Sequence, residues 1–500
     1  MSYHCAIDGT GRRLPVRRRE ILKGLLFGGL STMSIGLLSP MDARAAERDV
    51  VDVTLTSRPH TFSPTPNVTF DGLAFNGQIP GPLLRVRHGQ RFRARYINRS
   101  GGPSTIHWHG MILPNAMDGV PNVTQAPIPD GGEFIYEFTP GPPGFRWYHS
   151  HVAPQNPRGL FGAFIVDDPN EQPADVEAVL VFHDVPDMTS FNAALHDASH
   201  AHMVAPMGAP EMADMTASDK ASAHAMGDEV AYLARCINGA TWPRTKPIEA
   251  RVGQRVRLRI LNASPTITHY IAAGGHQLRV THSDGNPLPR PVTVDALRVG
   301  VAERYDAWLD ITRPGAWLVE AIADDGQAIG QSVVVHTPGM AQATPERPAQ
   351  SLRGEDWFTY LQAGDAGPLQ HPVVPGPIDV DAHLALGEGA RGAGNWTING
   401  RTWPDTRPID VHRDDRVLVH FTNPTDMAHP MHLHGHVFHL VALNGQSLGQ
   451  PLPKDTTLVP AKGGTATWFF KASSPPGRWM LHCHNDIHMA DGMMTDVRYI

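Results

Sequence analysis

Three copies of one sequence pattern run through this 500-residue chain. Each copy begins with an Asn-Gly pair, and these pairs stand 162 and 161 residues apart at Asn76, Asn238 and Asn399. Each pair is followed by a segment in which apolar and polar residues alternate up to a final asparagine: Arg85–Asn98, Arg251–Asn262 and His412–Asn423. Such alternation is typical of a half-buried antiparallel strand. The repeat therefore predicts one β-domain in triplicate.

Turn-forming residues separate the alternating segments of each copy. The chain holds 48 glycines and 45 prolines but only 18% charged residues, which favours an all-β protein rich in loops. Several strands per copy, joined by such turns, predict a Greek-key β-sandwich. We place the three tandem sandwich domains at residues 46–167, 168–336 and 374–500. Residues 337–373, rich in proline, glutamine and alanine, are predicted to be a linker that crosses the surface.

The first 45 residues have the features of an export signal. An R-R-x-I-L-K motif ends at Lys23, an apolar run follows, and an A-x-A cleavage site ends at Ala45. The apolar run is shorter than the roughly 20 residues that a membrane helix needs. These features predict transport of the folded protein by the twin-arginine export machinery, cleavage of the signal peptide near Ala45 and a periplasmic location. The alternative is an uncleaved membrane anchor.

Net charge and cysteine content argue against two broad classes of protein. A formal charge of −7 disfavours a nucleic-acid partner. Three cysteines, Cys5, Cys236 and Cys483, are too few for a disulfide framework. Cys236 stands beside the second Asn-Gly turn and is most simply a buried structural thiol. Cys483 has a different setting, because it lies between two histidines.

A stretch near the C-terminus places Cys483 between His482 and His484. Successive side chains of a strand point to opposite faces, so the cysteine projects to one side and the two histidines project to the other. One strand can therefore serve two metal sites. A thiolate, the imidazole of His488 and the thioether of Met493 are soft ligands that suit copper. The alternative is a small buried cysteine with incidental histidines.

At the ends of equivalent strands, pairs of histidines separated by one residue occur in the first and third copies only. They stand at His107 and His109, at His149 and His151, and at His432 and His434. Residues at i and i+2 lie on one face of a strand, so both members of a pair can reach one metal cluster. The middle copy has no such pair at the equivalent place, which predicts a metal cluster between the first and third copies. The alternative for any single pair is a solvated strand face.

These histidine motifs resemble the four copper motifs of the three-domain multicopper oxidases. The matching segments read H-W-H-G, W-Y-H-S-H, H-P-M-H-L-H-G-H and H-C-H-x3-H-x4-M, and the similarity extends over nearly all of the chain after the signal. The segment 114–121 looks most like that of the bacterial copper-resistance oxidases and their laccase-like relatives. The resemblance implies three cupredoxin domains and four copper ions.

Residue by residue, the resemblance implies one type 1, one type 2 and two type 3 coppers. The implied type 1 ligands are His429, Cys483 and His488, with Met493 as a weak axial ligand. The implied type 2 ligands are His107 and His432. One type 3 copper matches His109, His149 and His484, and the other matches His151, His434 and His482. Electrons would enter at Cys483 and pass through the chain to its two histidine neighbours, beside which dioxygen is reduced to water.

The reduction of dioxygen also needs an acid near the histidines. Asp118, nine residues after the first histidine pair, matches the acidic residue that relatives place there, and we expect it to be a catalytic proton donor. The alternative is a residue of an Asp-Gly turn. Met489 departs from the family pattern, because certain relatives carry a glutamate there that serves a proton relay. Asp486 or Asp491 is a candidate to compensate.

Residues 188–226 form an insert in the second copy that is rich in methionine and histidine. Thioethers select Cu(I), so the insert favours Cu(I) as the reducing substrate and a role in copper resistance. The alternative is a partly helical flap whose methionines merely pack. Two further functions stay open: a laccase that acts mainly on phenols or aromatic amines, and a copper-free structural protein of cell division, which the complete set of expected ligands disfavours. We expect a monomer.

Overall fold

The structure, a computed structural model, describes residues 50–197, 230–323, 330–349, 358–365, 374–389 and 396–500. These residues belong to one compact unit that spans Asp49–Ile500. Strands form most of it, so the predicted all-β class is confirmed. The predicted signal peptide, most of the insert and parts of the linker lie outside the described residues. No helix among the described residues is long and apolar enough to cross a membrane.

The first pair of sheets contains seven strands. They are β1 (Val50–Thr65), β2 (Val68–Phe75), β3 (Gly81–Arg87), β4 (Arg91–Asn98), β5 (Glu133–Phe138), β6 (Gly144–His149) and β7 (Phe161–Asp167). One sheet has the order β2-β1-β4-β5 and the other has the order β3-β7-β6. A short 3-10 helix, Asn115–Met117, lies between β4 and β5.

The second pair of sheets contains eleven strands. One helix of the insert, α1 (Met188–Asp197), lies between the first two of these strands along the chain. The strands are β8 (Val176–Pro186), β9 (Tyr232–Ile237), β10 (Ile248–Glu249), β11 (Arg255–Asn262), β12 (His269–Ala273), β13 (Leu278–Ser283), β14 (Asn286–Val294), β15 (Ala296–Val299), β16 (Arg304–Asp310), β17 (Ala316–Ala323) and β18 (Ser332–His336). The sheet orders are β14-β13-β16-β11-β8-β9 and β10-β18-β17-β12-β15.

The third pair of sheets repeats the strand order of the second. After helix α2 (Phe358–Ala363), its strands are β19 (Val380–Glu388), β20 (Trp396–Ile398), β21 (Ile409–Val411), β22 (Arg416–Asn423), β23 (His429–Leu433), β24 (Phe438–Leu443), β25 (Gln446–Lys454), β26 (Thr456–Val459), β27 (Gly464–Lys471), β28 (Arg478–Cys483) and β29 (Met494–Tyr499). Helix α3 (Asp486–Ala490) lies between the last two strands. The orders β25-β24-β27-β22-β19-β20 and β21-β29-β28-β23-β26 match the second pair strand for strand.

The recurring Asn-Gly pairs are turns that tie neighbouring strands together. Asn76 has a φ of 53° and Gly77 a φ of 75°, a region that asparagine and glycine adopt most easily. The side-chain oxygen of Asn76 accepts a hydrogen bond from Thr56 N at 2.8 Å, and its amide donates to Thr54 O at 2.9 Å. Asn238 and Asn399 make the same two bonds in their copies. The pattern therefore recurs because the same turn is built three times.

One alternating segment was predicted wrongly in its exposure. Arg257 and Arg259 on β11 are buried, whereas alternation predicts a solvated face. An acidic residue, Glu171, covers that face and contacts both guanidinium groups, and Asp306 pairs with Arg259 at 2.8 Å. Charges are buried at tolerable cost only when they are paired in this way. The strand also pairs in parallel with β8 and antiparallel with β16.

The predicted surface linker also differs from expectation, because part of it is buried. Tyr360 on α2 is 4% exposed, and its hydroxyl donates a hydrogen bond to the buried carboxylate of Glu303. A phenol ring hides apolar surface while its hydroxyl finds a polar partner, which explains how α2 docks. The sequence composition of the segment gives no sign of this contact.

Candidate metal centre

Strand β28 carries predicted ligands on both of its faces. In its pairing with β23, His432 lies opposite His482 and Met431 lies opposite Cys483. Opposite residues share a face, so His482 and Cys483 point to different sides. Two groups result. The cysteine cluster consists of His429, Cys483, His488 and Met493. The histidine cluster consists of His107, His109, His149, His151, His432, His434, His482 and His484.

Three side chains of the cysteine cluster converge on one point. Cys483 Sγ lies 3.4 Å from His488 Nδ1 and 3.7 Å from His429 Nδ1, and the two nitrogens are 3.0 Å apart. All three residues are fully buried. Met493 is also buried, and its carbonyl accepts from the Cys483 backbone N–H at 3.0 Å. The thiol and two imidazoles match the three strong donors of a blue-copper site, and the backbone bond brings the predicted thioether residue next to Cys483 in the fold.

Neighbouring side chains fix the orientation of both imidazoles in the cysteine cluster. His429 Nε2 lies 2.9 Å from the Thr425 hydroxyl, which leaves Nδ1 facing the cysteine. Asn485 caps α3 by accepting hydrogen bonds from Ile487 N and His488 N. The ring of Trp396 packs on the His488 ring with 3.8 Å between centroids. Such outer contacts orient metal ligands before the ion arrives.

The eight imidazoles of the histidine cluster are buried and pack ring to ring. His434 Nε2 lies 3.0 Å from His482 Nε2, and His149 Nε2 lies 3.4 Å from His484 Nε2. Two further contacts are stacked pairs with centroids 3.8 and 3.7 Å apart: His107 with His434, and His109 with His432. Histidines of the first copy and histidines of the third copy therefore form one cluster.

The same eight rings present unsatisfied nitrogens. Four of them place Nδ1 within 2.9 Å of a backbone carbonyl: His107, His149, His432 and His482. A ring that donates there from Nδ1 keeps a lone pair on Nε2. Five buried ring nitrogens have no hydrogen-bond partner among the described residues: His107 Nε2, His109 Nδ1, His151 Nε2, His432 Nε2 and His484 Nδ1. Buried polar atoms rarely stay unpaired, and imidazole lone pairs are good copper ligands, so the cluster fits copper ions.

Burial lowers the pKa of seven imidazoles in the histidine cluster. Desolvation is the main cause and neighbouring rings add to it, so the pKa lies well below the usual value for His109, His149, His151, His432, His434 and His484. Desolvation lowers the pKa of His482 to about 4. These seven rings are therefore neutral at pH 7, which is the protonation state that binds a metal ion.

Asp118 contacts the histidine cluster from the side of the first sheet pair. It is fully buried, its Oδ2 accepts from His434 Nδ1 at 2.8 Å, and its Oδ1 lies 3.3 Å from His107 Nδ1. The carboxylate is thus more than a turn residue. One local prediction was wrong: His107 and His109 do not lie on a regular strand, since His107 forms only an isolated bridge with His149.

Asp455 is a buried carboxylate behind the histidine cluster that sequence reasoning missed. Arg304 donates to both of its oxygens at 2.7 and 2.6 Å, and Arg146 approaches to 3.5 Å. Its Oδ1 lies 3.2 Å from His109 Nε2, and its backbone oxygen lies 2.8 Å from His432 Nδ1. Asp455 therefore connects two arginines to two histidines of the cluster.

A sequence signal for Asp455 exists in the repeat. Asp295 occupies the matching place in the second copy, between β14 and β15, as Asp455 does between β25 and β26. Asp295 is exposed and bonds to Gln277, so the recurring aspartate is buried only beside the histidines. Comparison of the copies would have singled out this position.

A second carboxylate lies on helix α3. Asp486 is buried, and Asn156 donates a hydrogen bond to it at 2.9 Å. Burial raises the pKa of Asp486 to about 7, although the bond from Asn156 opposes the rise. Asp491, the other candidate named from the sequence, is half-buried at the C-terminal end of the helix.

Comparisons with known proteins agree with this geometry. Residues 57–171, 209–337 and 377–499 each match a family described as multicopper oxidase. The chain is 32% identical to Multicopper oxidase MmcO of Mycobacterium tuberculosis over 480 residues, which covers 93% of this chain and 91% of the relative. The chain belongs to the multicopper oxidase family. It is an oxidoreductase that uses copper, dioxygen and a reducing substrate.

Other relatives of this multicopper oxidase differ in their described roles. It is 26% identical to Copper resistance protein A of Escherichia coli, covering 97% of this chain and 99% of that protein. It is also 26% identical to a laccase of Cryphonectria parasitica, with coverage of 88% and 80%. A crystal structure of a multi-copper oxidase from Pseudomonas parafulva matches with a TM-score of 0.66, 27% identity and coverage of 90% and 100%. The family resemblance and the cupredoxin-like fold are confirmed, and the cell-division alternative is not favoured.

Proposed function

We propose that this multicopper oxidase oxidises Cu(I) and serves copper tolerance, with phenols as secondary substrates. Its likeness to Copper resistance protein A supports this choice, because that name ties to copper a relative that aligns with nearly all of this chain. The insert rich in methionine supports it too, since thioethers prefer Cu(I). The laccase relatives make phenol oxidation the competing main activity.

The observation that carries the proposal is the packing of α1 against α3. Phe191 on α1 and Ile487 on α3 share one buried apolar cluster, with Met188 packed against it. Ile487 precedes His488, so the helix that opens the insert lies beside the helix that bears a member of the cysteine cluster. A segment that begins there is well positioned to deliver Cu(I) to that cluster.

We assign the copper ligands as the family motifs imply. The type 1 set is His429, Cys483, His488 and Met493; the type 2 set is His107 and His432; the type 3 sets are His109, His149 and His484, and His151, His434 and His482. When bound, copper supplies one-electron acceptance at the cysteine cluster and reduction of dioxygen to water at the histidine cluster. The unpaired, buried Nδ1 supports that atom as the ligand of His109.

Side chains of the protein carry out electron transfer between the clusters and proton delivery. Cys483 is bonded through the backbone to His482 and His484, so it links the two clusters by the shortest covalent route, which supports its catalytic role. Asp118 is the proposed proton donor to the histidine cluster, and the contact of its carboxylate with His434 supports this role. Asp486 is the better placed of the two candidates for a second relay, because it is buried beside Asn156.

A deletion experiment tests the choice of substrate. Removal of residues 196–226 should slow oxygen uptake with Cu(I) and speed oxygen uptake with a phenol, because it removes the thioethers and most of the segment that begins beside the cysteine cluster. A matched variant changes five methionines of the insert to leucine: Met203, Met207, Met212, Met215 and Met226. It should slow Cu(I) oxidation alone. Unchanged Cu(I) oxidation and no faster phenol oxidation after the deletion would favour a laccase instead.

We also propose export by the twin-arginine machinery, cleavage near Ala45 and a monomeric periplasmic enzyme. The R-R-x-I-L-K motif and the A-x-A site support export. Changing Arg18 and Arg19 to lysine should leave the protein in the cytoplasm with its signal attached. Fractionation and N-terminal sequencing check this expectation, and size-exclusion chromatography with light scattering checks the monomer. Mature protein in the periplasm of the double variant would contradict the twin-arginine route.

A further inference from the structure

Two histidines and an aspartate meet on the outer face of the third sheet pair, away from both clusters in the sequence. Asp381 and His383 lie on β19 and His420 lies on β22, the neighbouring parallel strand. The strand register places His383 directly beside His420. Asp381 precedes His383 by two residues and so shares its face. The side chains of Asp381, His383 and His420 are 56%, 75% and 29% exposed.

The three side chains present their ligand atoms to one small volume. Asp381 Oδ1 lies 3.1 Å from His420 Nε2 and 3.6 Å from His383 Nε2. In a tetrahedral site with metal–ligand bonds of about 2.0–2.1 Å, ligand atoms stand about 3.3 Å apart. The two observed distances lie on either side of that value. Because the two rings are stacked, the exposed ring of His383 must also turn about its side-chain bonds so that both Nε2 lone pairs point at one ion.

The two imidazole rings are already parallel. Their centroids are 4.7 Å apart with an angle of 12° between planes, and both rings direct Nε2 at the same carboxylate oxygen. Two protonated rings at this distance would repel each other. Partial burial lowers the pKa of His420, and His383 lowers it further while Asp381 opposes. A neutral ring with its Nε2 beside a carboxylate is prepared for a metal ion.

Thr467 on β27 completes the arrangement. It is the cross-strand partner of His420, and its hydroxyl lies 3.3 Å from His420 Nδ1. A hydroxyl can donate or accept, so it can accept from Nδ1–H when Nε2 gives up its proton to bind a metal. This is the contact by which metal-binding histidines are commonly held in orientation.

We propose that Asp381, His383 and His420 form a binding site for one divalent transition-metal ion of the Cu²⁺ and Zn²⁺ class. Two imidazole nitrogens and one carboxylate oxygen are borderline ligands that suit both ions, and the open side leaves room for water. The site is additional to the two clusters, and it does not depend on the choice between Cu(I) and phenols.

A second histidine next to an aspartate, also in the third pair of sheets, differs from the proposed site in having no second imidazole. His412 Nδ1 lies 3.6 Å from Asp415 Oδ2, and the His412 side chain is 72% exposed. The distance matches that between His383 and Asp381, and His412 is about as exposed as His383, although Asp415 is more buried than Asp381. No second imidazole faces this pair in the structural contacts described. His412→Ala is therefore a matched control for a histidine next to an aspartate.

Zinc titration of the copper-loaded enzyme tests the proposal. Isothermal titration calorimetry with Zn²⁺ should show one binding event in the wild type that His383→Ala and His420→Ala lose and His412→Ala keeps. The comparison between variants separates this event from any zinc held by histidines elsewhere. Thr467→Val should weaken the same event by about 10- to 100-fold, because it removes the orienting partner of His420. The melting temperature of each variant confirms that it folds.

A second titration arm uses Cu²⁺. The stability order of divalent ions predicts that Cu²⁺ displaces the bound Zn²⁺ in the wild type. Failure of Cu²⁺ to displace it would contradict the assigned nitrogen and oxygen ligands. A zinc isotherm that is absent from the wild type, or unchanged in His383→Ala and His420→Ala, would overturn the proposal.

Discussion

At the scale of single residues, the hydrogen bond made by one ring nitrogen of a histidine determines whether the other nitrogen can bind a metal ion. Backbone carbonyls lie within hydrogen-bond reach of Nδ1 of His107, His149, His432 and His482, and these contacts hold the proton on Nδ1 and leave Nε2 as the nitrogen that can bind a metal ion. The spacing of the histidine pairs predicts that the rings meet. It does not predict which nitrogen each ring presents, because that depends on carbonyls from the surrounding chain.

Asp118→Asn tests the proposed proton donor. The amide keeps the shape of the carboxylate but cannot supply a proton, so kcat for oxygen uptake should fall by about 100-fold or more. Steady-state oxygen consumption measures the effect, and metal analysis should find the same copper content as in the wild type. Asp118→Glu should recover part of the activity. Wild-type kcat in Asp118→Asn with full copper content would contradict the assignment.

Cys236 gives a prediction about pH. Burial raises the pKa of its thiol, so the folded state holds this proton more tightly than the unfolded state does. The contribution to stability is complete below the unfolded pKa of about 8.5 and is lost as pH rises above it, by up to about 1.4 kcal/mol per pH unit.

Urea unfolding between pH 7 and 10 measures that loss. Cys236→Ala should be less stable at pH 7 because of the small cavity, but its stability should decline less steeply above pH 8.5. Parallel declines in the two proteins would contradict the account. The folded wild type should also resist alkylation of Cys236 at pH 8 and react only after unfolding.

At the scale of elements, the recurring turn and strand were predictable and their surroundings were not. The Asn-Gly turns follow from local backbone preference, which a sequence displays directly. The burial of Arg257 and the docking of α2 through Tyr360 depend on residues far away in the chain, Glu171 and Glu303. Local alternation carries no information about such partners, so both features were predicted as exposed.

Helix α3 offers a test at this scale, because it has only five residues and depends on its cap. Asn485→Ala removes the acceptor for Ile487 N and His488 N, and should cost about 1 kcal/mol of unfolding free energy. It should also disturb the blue absorption of the cysteine cluster, since His488 loses its fixed backbone. Asn485→Asp retains an acceptor and serves as the control. Unchanged absorption and stability in Asn485→Ala would show that the cap does not hold His488.

At the scale of the whole molecule, all three sheet pairs contribute to one buried group of charges. Arg146 comes from the first pair, Arg304 from the second, and Asp455 from the third. The side chains of all three are fully buried. The middle copy lacks a histidine pair at the equivalent strand end, yet its arginine holds the carboxylate that lies against His109. This explains how a copy without predicted copper ligands takes part in the metal centre.

Arg304→Met tests that role. Removal of one partner from a buried ion pair leaves an unpaired charge and should cost about 3–5 kcal/mol of unfolding free energy. Copper content should also fall, because Asp455 would turn toward other partners. Arg290→Met is the control: its pair with Asp365 is exposed, and its loss should change stability by less than about 1 kcal/mol. Equal effects of the two substitutions would contradict a special role for Arg304.

The positions of the ligands along the chain have a consequence for biosynthesis. The histidine cluster needs residues near both ends of the described chain, from His107 to His484, and the cysteine cluster needs residues up to Met493. During translation, N-terminal parts of a chain form first. Neither cluster can therefore close on a nascent or truncated polypeptide that lacks its last strand region. We therefore expect metal ions to bind only after this last strand region has been made, so that full copper occupancy distinguishes folded full-length molecules from fragments.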